Sequence, residues 1–449
     1  MGNYYGKVRS GITFLYRPDG IESQVTEVRL KRPVVDSLLM YAVRVAFERY
    51  PYLLVKLKRR SDGMIHTVKN PVAPIPARRR RLRALQSMAS MSNVVDITFW
   101  NCSIYVSFHH SICDGLGIMN FVKTLMYYYI SFSNPKLVLS VPGLKLSSTP
   151  ISDAETAEPT VDGCFVYDPA NVYQVDCSHS FRLPEVEKEV CFCRWELTID
   201  EAEFVRLAKM NNTTPSVLVS MLMHRAIVDF HPDSAHKVVS NIVCDMRSTI
   251  GCPETYRNCV ICQPLVFVSQ DCDAPIDELG RRMKAELNKL RQLDTARARA
   301  LMMKTVADKI DNMPSFESRV EMMNMMESMV NDTFTMSYLG RADLGDLEGF
   351  IDGIHIYTSG DRGLTIEMIA VDGRMILDIK QSFSTAIYVN ALMRQFASLG
   401  LNVKISDQIF FDVPKDKSSQ PNVFERMGDR LNDVLKSNVD QLVGMLKQK

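Results

Sequence analysis

Two adjacent histidines are the residues of this sequence whose types and spacing are best suited to chemistry. His109 and His110 end an apolar run, and Asp114 and Gly115 are the fourth and fifth residues after the second histidine. Imidazole has an ordinary pKa of about 6.5, which suits a general base at neutral pH. Because consecutive residues of a strand point to opposite faces, one imidazole can face a cleft while the other faces the packed side.

The residues after the histidine pair have supporting roles. Asp114 can fix a histidine tautomer or hold the loop by an ion pair. Gly115 and Gly117 permit a tight turn and a close backbone approach. A metal site is disfavoured because adjacent histidines on a strand diverge instead of converging on one ion. From these residues alone, a structural role for the histidine pair stays open beside a catalytic one.

The elements that must position the motif are predicted from hydrophobic periodicity. The segment VDITFWNCSIYVSFHH predicts two strands broken near Asn101, and GIMNFVKTLMYYYI after the motif predicts a helix. Upstream, Ile12–Tyr16 predicts a strand, residues 34–50 a helix, and Asp62-Gly63 the turn between two strands. The motif is therefore expected on a loop between a strand and a helix.

The second half of the chain repeats a plan of strands alternating with helices. Thr214 and Pro215 supply an N-cap and a proline at the first helical position. Residues 276–329 predict a long, methionine-rich helical region, and residues 386–400 predict a closing helix. This alternation predicts an α/β (α+β) protein.

Composition excludes several classes of protein. Hydrophobic residues make up 46% and charged residues 23%, as in ordinary globular chains. The 53 basic and 52 acidic residues nearly cancel, so no nucleic-acid partner is expected. No apolar run reaches the roughly 18 residues of a membrane span, and the N-terminus lacks the features of a signal peptide. The 11 scattered cysteines are expected as reduced thiols, which indicates the cytoplasm.

The length of the chain predicts more than one domain. A polar stretch at residues 147–163 has the composition of an exposed connection. We therefore expect an N-terminal lobe over residues 1–183 and a C-terminal lobe over residues 184–414. Residues 415–449 carry an apolar stripe at helical spacing, which predicts an amphipathic helical extension docked on the parent domain or, alternatively, used in dimerisation. The expected state is a monomer or weak homodimer.

The segment HHSICDG, between an apolar strand and a helix, resembles the HHxxxDG motif of the chloramphenicol-acetyltransferase-like acyltransferases. That superfamily includes condensation domains, alcohol acetyltransferases and the plant BAHD enzymes. The segments ERYPYLL, TTPSVLVSMLMHRAI, VCDMRSTIGCPETYRNCV and TFTMSYLGR are also similar to family segments, so that the resemblance covers about residues 5–412. It implies two similar lobes, each a mixed sheet with helices, and an active-site tunnel between them.

The resemblance also implies roles for individual residues. His110 would be the general base. Asp114 would point away from the substrate and pair with Arg247. Ser337, in TMSYLG, would be a hydroxyl donor to the oxyanion.

The remaining motif positions, His109 and Gly115, would be structural. The sequence departs from the family pattern in two places: the DFGWG motif of the plant enzymes is absent, and the family's Gly-Asn is Arg257-Asn258 here. Cys113 lies inside the motif, but we expect a variable loop residue there because no base geometry is evident for a nucleophilic thiol.

The implied activity is direct transfer of an acyl group from a thioester, acyl-CoA, to a hydroxyl or amine acceptor. Coenzyme A thioester would be a co-substrate, and no bound cofactor or metal is expected. With no carrier domain in the chain, an alcohol-acetyltransferase-like enzyme is favoured. The alternatives are an amide-forming, condensation-like enzyme that uses an acyl-carrier protein as donor, a non-catalytic condensation-like binding module, and a hydrolase that depends on Cys113.

The arginine run and the methionine-rich region each allow two interpretations. Arg78–Arg81 form a run of four arginines, which predicts a solvated charged face or, alternatively, a phosphate contact to coenzyme A or to a carrier-protein arm. The methionines of residues 301–329 predict core packing or, alternatively, a pliable lining for a substrate pocket. The residues that bind substrate are not identified by the sequence.

Overall fold

The structure is a computed structural model, and it describes residues 5–17, 23–159, 167–188, 191–358 and 363–411. The strands in these ranges are β1 (Gly6–Lys7), β2 (Ser23–Leu30), β3 (Val55–Arg59), β4 (Ile65–Lys69), β5 (Ala77–Arg78), β6 (Val95–Trp100), β7 (Ser103–His109), β8 (Cys193–Asp200), β9 (Lys237–Asp245), β10 (Val260–Val268), β11 (Phe334–Arg341), β12 (Ile351–Thr358), β13 (Leu364–Val371), β14 (Arg374–Gln381), β15 (Val403–Ile405) and β16 (Ile409–Phe410). The helices are α1 (Asp36–Arg49), α2 (Gly115–Ser133), α3 (Asp153–Thr156), α4 (Glu185–Lys188), α5 (Glu201–Met210), α6 (Pro215–Phe230), α7 (Ile276–Leu290), α8 (Leu293–Asp311), α9 (Phe316–Ser328) and α10 (Ile387–Ser398).

Two large mixed sheets form the frame of the molecule. The first sheet has the strand order β12-β2-β7-β6-β5, in which β5 runs parallel to β6 and the other pairs are antiparallel. The second sheet has the order β10-β9-β11-β13-β14-β8-β15, and β11 runs parallel to both of its neighbours. Mixed sheets combined with helices confirm the predicted fold class.

Each large sheet has its own hydrophobic core. The first core joins α1 and α2 to the first sheet, with Phe121 of α2 and Val106 of β7 among its fully buried members. The second core joins α6 and α10 to the second sheet around Leu222 and Phe396. None of the described helices is long and apolar enough to cross a membrane.

Strand β12 connects the two sheets. It comes from the second half of the chain, yet it pairs antiparallel with β2 and completes the first sheet. The same strand contacts β13 and β14 of the second sheet. The first sheet therefore contains residues 351–358 in addition to strands from the first 110 residues. The predicted extension over residues 415–449 lies outside the described residues.

A cluster of buried charges lies where the sheets meet. We call it the Arg194 cluster, and its members are Glu27, Arg29, Arg194, Glu196, His355 and Asp378. Nη2 of Arg194 donates to Glu27 on β2 at 3.1 Å and to Glu196 at 2.7 Å. Nη1 of Arg194 donates to Asp378 on β14 at 3.1 Å. A single buried guanidinium thus bonds carboxylates from both sheets.

The Arg194 cluster is an ion-pair network. Burial raises the pKa of Glu27, but the charges of Arg194, His355 and Arg29 oppose this effect and lower that pKa to about 2. Ligand atoms of Glu196, His355 and Asp378 lie within 4.8 Å of one another, as metal ligands would. Because arginines already bond to both of these carboxylates, the arrangement favours ion pairing over metal binding.

Several local predictions can be compared with these elements. Helix α1, the β3–β4 hairpin and the N-cap of α6 at Thr214 are confirmed. The strand expected at Ile12–Tyr16 is wrong, because Ile12–Phe14 form a 3₁₀ turn. The helical region of residues 276–329 is present but is divided into α7, α8 and α9. Pro314 lies between the last two helices, where its missing N–H prevents a continuous helix.

Candidate active site

The histidine motif occupies the loop between a central strand and a buried helix. Strand β7 ends at His109, and α2 begins at Gly115. Asp114 is the N-cap of α2, and its Oδ1 accepts the backbone N–H of Gly117 at 2.8 Å. This bond satisfies one of the unpaired N–H groups at the start of the helix. The expected arrangement of strand, loop and helix is confirmed.

Two glycines let other segments approach this loop closely. A Cβ atom at Gly117 would lie 1.9 Å from the carbonyl oxygen of Tyr256. A Cβ atom at Gly11 would lie 2.1 Å from the carbonyl oxygen of Ser111. Both distances are far inside van der Waals contact, so a side chain at either position would push the backbone apart. The loop is therefore held between the N-terminal segment and the segment that precedes β10.

Asp114 and Arg247 form the ion pair that the resemblance implies. Nη2 of Arg247 donates to Oδ1 of Asp114 at 2.8 Å, and both side chains are buried. The second oxygen, Oδ2, accepts the N–H of Cys259 at 2.8 Å. Burial lowers the pKa of Arg247, but Asp114 opposes this effect and raises it above its ordinary value. Both oxygens of Asp114 are thus occupied by protein donors, which suits a positioning role.

His109 faces the packed side of β7. Its ring is buried, and burial lowers the pKa of His109 to about 3. The N–H of Ser111 donates to Nδ1 of His109 at 3.2 Å, which places the hydrogen of the neutral ring on Nε2. The Ser111 hydroxyl lies 2.7 Å from the same Nδ1. His109 is therefore a neutral group that holds the loop through Ser111 on the packed side of β7.

His110 has a different environment from its neighbour. It is partly exposed, and its Nδ1 lies 3.2 Å from the carbonyl oxygen of Cys113. A carbonyl can only accept, so this contact favours a hydrogen on Nδ1 and a basic lone pair on Nε2. Asn258 donates through Nδ2 to the carbonyl oxygen of His110 at 3.0 Å. The same Nδ2 lies 3.1 Å from Nδ1, and because an amide NH₂ can only donate, this second contact favours a hydrogen on Nε2 instead.

An aromatic ring covers one face of His110. The ring of Phe14 stacks on the imidazole with centroids 4.2 Å apart and an interplanar angle of 15°. The guanidinium carbon of Arg17 lies over the ring of Phe14, 4.7 Å from its centroid. The sequence gives no signal for this contact, because the segment that carries Phe14 was predicted as a strand. Asn258 belongs to the segment VCDMRSTIGCPETYRNCV, which is similar to a segment of the family, but the sequence gives no signal for its contact with His110.

Cys113 is sealed inside the protein. Its side chain is fully buried, and burial raises the pKa of the thiol well above its ordinary value. The reactive form of a cysteine is the thiolate, which this environment disfavours. The contribution of Cys113 to the site is its backbone carbonyl, which holds the imidazole of His110.

Ser337 lies on β11 and is 8% exposed. Two residues further along the strand, Leu339 lies so near the motif that a Cβ atom at Gly115 would be 2.8 Å from its Cδ2. Strand β11 therefore borders the histidine loop. The role of Ser337 as an oxyanion donor stays a prediction.

A cleft adjoins the loop on the side of Asn258. It encloses about 630 Å³ of space, a volume that includes part of the open solvent. Its walls come from the N-terminal segment, α8 and the start of β10. The lining residues are Arg9, Ser10, Ile12, Thr13, Pro159, Met246, Ile250, Asn258, Cys259, Val260, Ile261, Ala300, Met303, Lys304 and Ala307.

The arginine run lies at the opposite end of β6 from the histidines. Arg78 pairs with Phe99 of β6, whereas Val95 at the other end of β6 pairs with Phe108 beside the histidines. Arg78–Arg81 are exposed, and Arg78 forms an ion pair with Asp36. Their exposure and this ion pair are the features of a solvated charged face.

Similar folds occur among solved structures, although no protein-family model and no curated protein sequence matches the chain. TRI101 from F. sporotrichioides, complexed with coenzyme A and T-2, has a TM-score of 0.58 at 11% identity over 89% of this chain and 99% of that one. The first condensation domain of the calcium-dependent antibiotic synthetase, in complex with a substrate analogue, has a TM-score of 0.61 at 11% identity over 88% and 95% of the two chains. Polyketide synthase associated protein 5 from Mycobacterium tuberculosis has a TM-score of 0.55 at 14% identity over 88% and 98%.

TRI3 trichothecene 15-O-acetyltransferase from Fusarium sporotrichioides has a TM-score of 0.54 at 10% identity over 87% of this chain and 94% of that one. The fold is therefore that of the chloramphenicol-acetyltransferase-like acyltransferases, as the HHSICDG segment predicted.

Proposed function

We propose that this protein transfers an acyl group from a thioester, acyl-CoA, directly to a hydroxyl or amine acceptor, with His110 as the general base. The observation that carries the proposal is the hydrogen bond between Nδ1 of His110 and the carbonyl of Cys113. This bond favours the tautomer in which Nε2 can take a proton. Only one of the two histidines is suited to this task, since His109 is buried with a pKa of about 3.

The reaction would begin when Nε2 of His110 removes the proton of the acceptor as its oxygen or nitrogen attacks the thioester carbonyl. The tetrahedral intermediate then collapses, the carbon–sulfur bond breaks, and the imidazolium returns the proton to the leaving thiolate. A general base contributes roughly 10²–10⁴-fold to such a rate. No covalent acyl-enzyme is formed, which agrees with the burial of the Cys113 thiol.

Other residues would position this base. The bonds of Asp114 to Arg247 and to the N–H groups of Gly117 and Cys259 hold the loop in place. The stacked ring of Phe14 limits rotation of the imidazole. We include Ser337 as the hydroxyl donor to the oxyanion, a type of contact worth about 10²–10³-fold where it has been removed in other enzymes.

Coenzyme A is the proposed donor because TRI101 is complexed with it. A carrier-protein thioester is the alternative, since condensation domains share the fold. In either case the donor is a co-substrate, and the residues described here perform the proton transfer without a resident cofactor.

The test is release of thiol from short, medium and long acyl-CoAs in the presence of mixed alcohols and amines. We expect acceptor-dependent release from the parent protein and a loss of about 10²–10⁴-fold in His110→Ala. His236→Ala is the matched control, because His236 is exposed and outside the site. Equal rates in the parent and in His110→Ala would contradict the proposed base. Release from neither protein, with acyl-CoA or with carrier-bound thioesters, would indicate a binding module.

A further inference from the structure

We propose that the cleft beside Asn258 binds a substrate group with an apolar body and an anionic end, a carboxylate or a phosphate, which Arg9 and Lys304 recognise. This inference rests on the proposed function, because the group would belong to the acyl donor or to the acceptor. It adds the chemical character of that substrate, which neither the motif nor the fold defines.

The position of the cleft connects it to the base. Asn258 lines the cleft and also donates to the carbonyl oxygen of His110. Ile12 and Thr13 line it next to Phe14, whose ring stacks on His110. A molecule in the cleft would therefore lie against the residues that hold the imidazole.

The cleft walls are mainly apolar and adaptable. Met246 and Ile261 pack together in a small buried cluster, with Ile250 and Met303 packed against it. All four of these residues line the cleft. Methionine side chains are flexible and polarisable, so they can follow the shape of an aliphatic or a ring-containing group.

The charge of the cleft is positive. Arg9 and Lys304 line it, and its described lining includes no acidic side chain. Both cations share a single carboxylate, Asp308, which forms an ion pair with Arg9 and bonds Nζ of Lys304 at 2.8 Å. Two positive charges facing one negative charge leave an excess that an anion can neutralise.

The guanidinium of Arg9 also has unused donor capacity. Its Nη2 donates to Asp308, while its buried Nε has no acceptor among the residues that the structure describes. A buried donor without an acceptor costs free energy, and guanidinium groups suit carboxylates and phosphates. If the two cations served only to tie the N-terminal segment to α8, one arginine paired with one aspartate would suffice.

The experiment measures binding without turnover. Octanoate, octyl phosphate, octanol and octylammonium are titrated calorimetrically into the full chain and into His110→Ala. We expect the two anions to bind about tenfold more tightly than octanol, with octylammonium weakest. We also expect His110→Ala to retain this order, because the cations are separate from the base. Failure of acyl transfer would therefore leave this result unaffected. Equal affinity for octanoate, octyl phosphate and octanol would overturn the inference.

Variants assign the preference to the two cations. Arg9→Gln and Lys304→Gln should each reduce octanoate affinity by about tenfold and leave octanol affinity unchanged. Arg9→Lys should keep part of the preference. Lys7→Gln is the matched control, because Lys7 forms a similar bridge to Asp311 near the same segments without lining the cleft. Unchanged anion preference in both Gln variants, with melting temperatures equal to that of the parent, would contradict the proposal.

Kinetics distinguish the two sources of the anionic group. If it belongs to the acyl group, Arg9→Gln should raise KM for an acyl-CoA with a terminal carboxylate and not for its uncharged analogue. If it belongs to the acceptor, the same variant should raise KM for a hydroxy acid and not for its methyl ester. An equal KM effect on the charged and uncharged members of both pairs would count against recognition of an anion.

Discussion

Two buried arginines join the first sheet and its loops to the second half of the chain, and they do so in different ways. Arg247 meets the buried carboxylate of Asp114 and the more exposed carboxylate of Asp245, two residues before it in the chain. The remaining contacts of Asp114 are backbone N–H groups of α2 and of the segment before β10. Arg194 meets three carboxylates on three strands. We call these two groups of ion pairs junctions. The Asp114–Arg247 junction fixes the loop that carries the partly exposed His110. The junction formed by the Arg194 cluster fixes strands on which no catalytic residue was predicted.

This difference separates positioning from stability. Removing one member of a buried ion pair leaves the partner's charge without compensation, and the cost grows with the number of charges left behind. The Arg194 cluster should therefore dominate the free energy of unfolding, whereas the Asp114–Arg247 pair should affect catalysis more strongly than its share of stability suggests.

The largest expected effect on stability is that of Arg194→Met. The substitution leaves Glu27, Glu196 and Asp378 near one another, so we expect a loss of about 3–5 kcal/mol in the free energy of unfolding. Urea unfolding measures it. Arg29→Met is the control, because Arg29 is 31% exposed and should cost clearly less. Acyl transfer per folded molecule should be nearly unchanged in Arg194→Met, and a specific loss of activity would remove the distinction between the junctions.

Asp114→Asn should have a smaller effect on stability and a larger one on activity. The amide keeps the shape of the carboxylate but leaves the buried Arg247 with only the more exposed Asp245 as a counter-ion, at a cost of about 1.5–3 kcal/mol. We expect kcat to fall by at least about tenfold, because a small displacement of His110 disturbs proton transfer. Thiol release and urea unfolding measured on the same samples test this. Activity that falls only in proportion to the unfolded fraction would argue against a positioning role.

Acid should destabilise the two junctions in different pH ranges. His109 has a folded-state pKa of about 3, below the ordinary value of about 6.5, so the unfolded state binds the proton more readily. Its contribution to stability is complete above about pH 6.5 and decreases as the pH falls toward 3. The pKa of Glu27 is lowered from its ordinary value of 4.5 to about 2. The contribution of the Arg194 cluster to the free energy of unfolding therefore decreases only below about pH 4.5.

The variant His109→Asn isolates the first of these effects. Its Oδ1 can replace Nδ1 as the acceptor for the Ser111 N–H, and it does not titrate. Between pH 7.5 and 5.5 the parent should lose about 1.4 kcal/mol more than the variant, which urea unfolding at the two pH values measures. His224, another buried histidine, has a pKa lowered to about 4 and contributes equally to both proteins. An identical pH dependence for parent and variant would show that His109 is not the responsible group.

The sequence predicted the local parts of this architecture better than the parts that depend on tertiary contacts. The strand, loop and helix around His110 follow from hydrophobic periodicity and from turn-forming glycines, which act within a few residues. The N-cap role of Asp114 was not predicted. The strand predicted at Ile12–Tyr16 is wrong because a short apolar run does not distinguish a strand from a 3₁₀ turn. Phe14 and Asn258 reach His110 only through folding of distant segments, and the transfer of β12 into the first sheet is likewise a matter of long-range pairing.

The smallest expected effect is that of Cys113→Ala on catalysis. The structure gives His110 the backbone carbonyl of residue 113, which any amino acid supplies, and it buries the thiol with a raised pKa. Activity should therefore stay within about twofold of the parent, while stability falls by about 1 kcal/mol from the small cavity. Measured beside His110→Ala and Asp114→Asn, this variant separates the backbone of the loop from its side chains. A loss of activity as large as that of His110→Ala would instead favour a thiol-dependent hydrolase, because only a nucleophilic sulfur makes the side chain at this position indispensable.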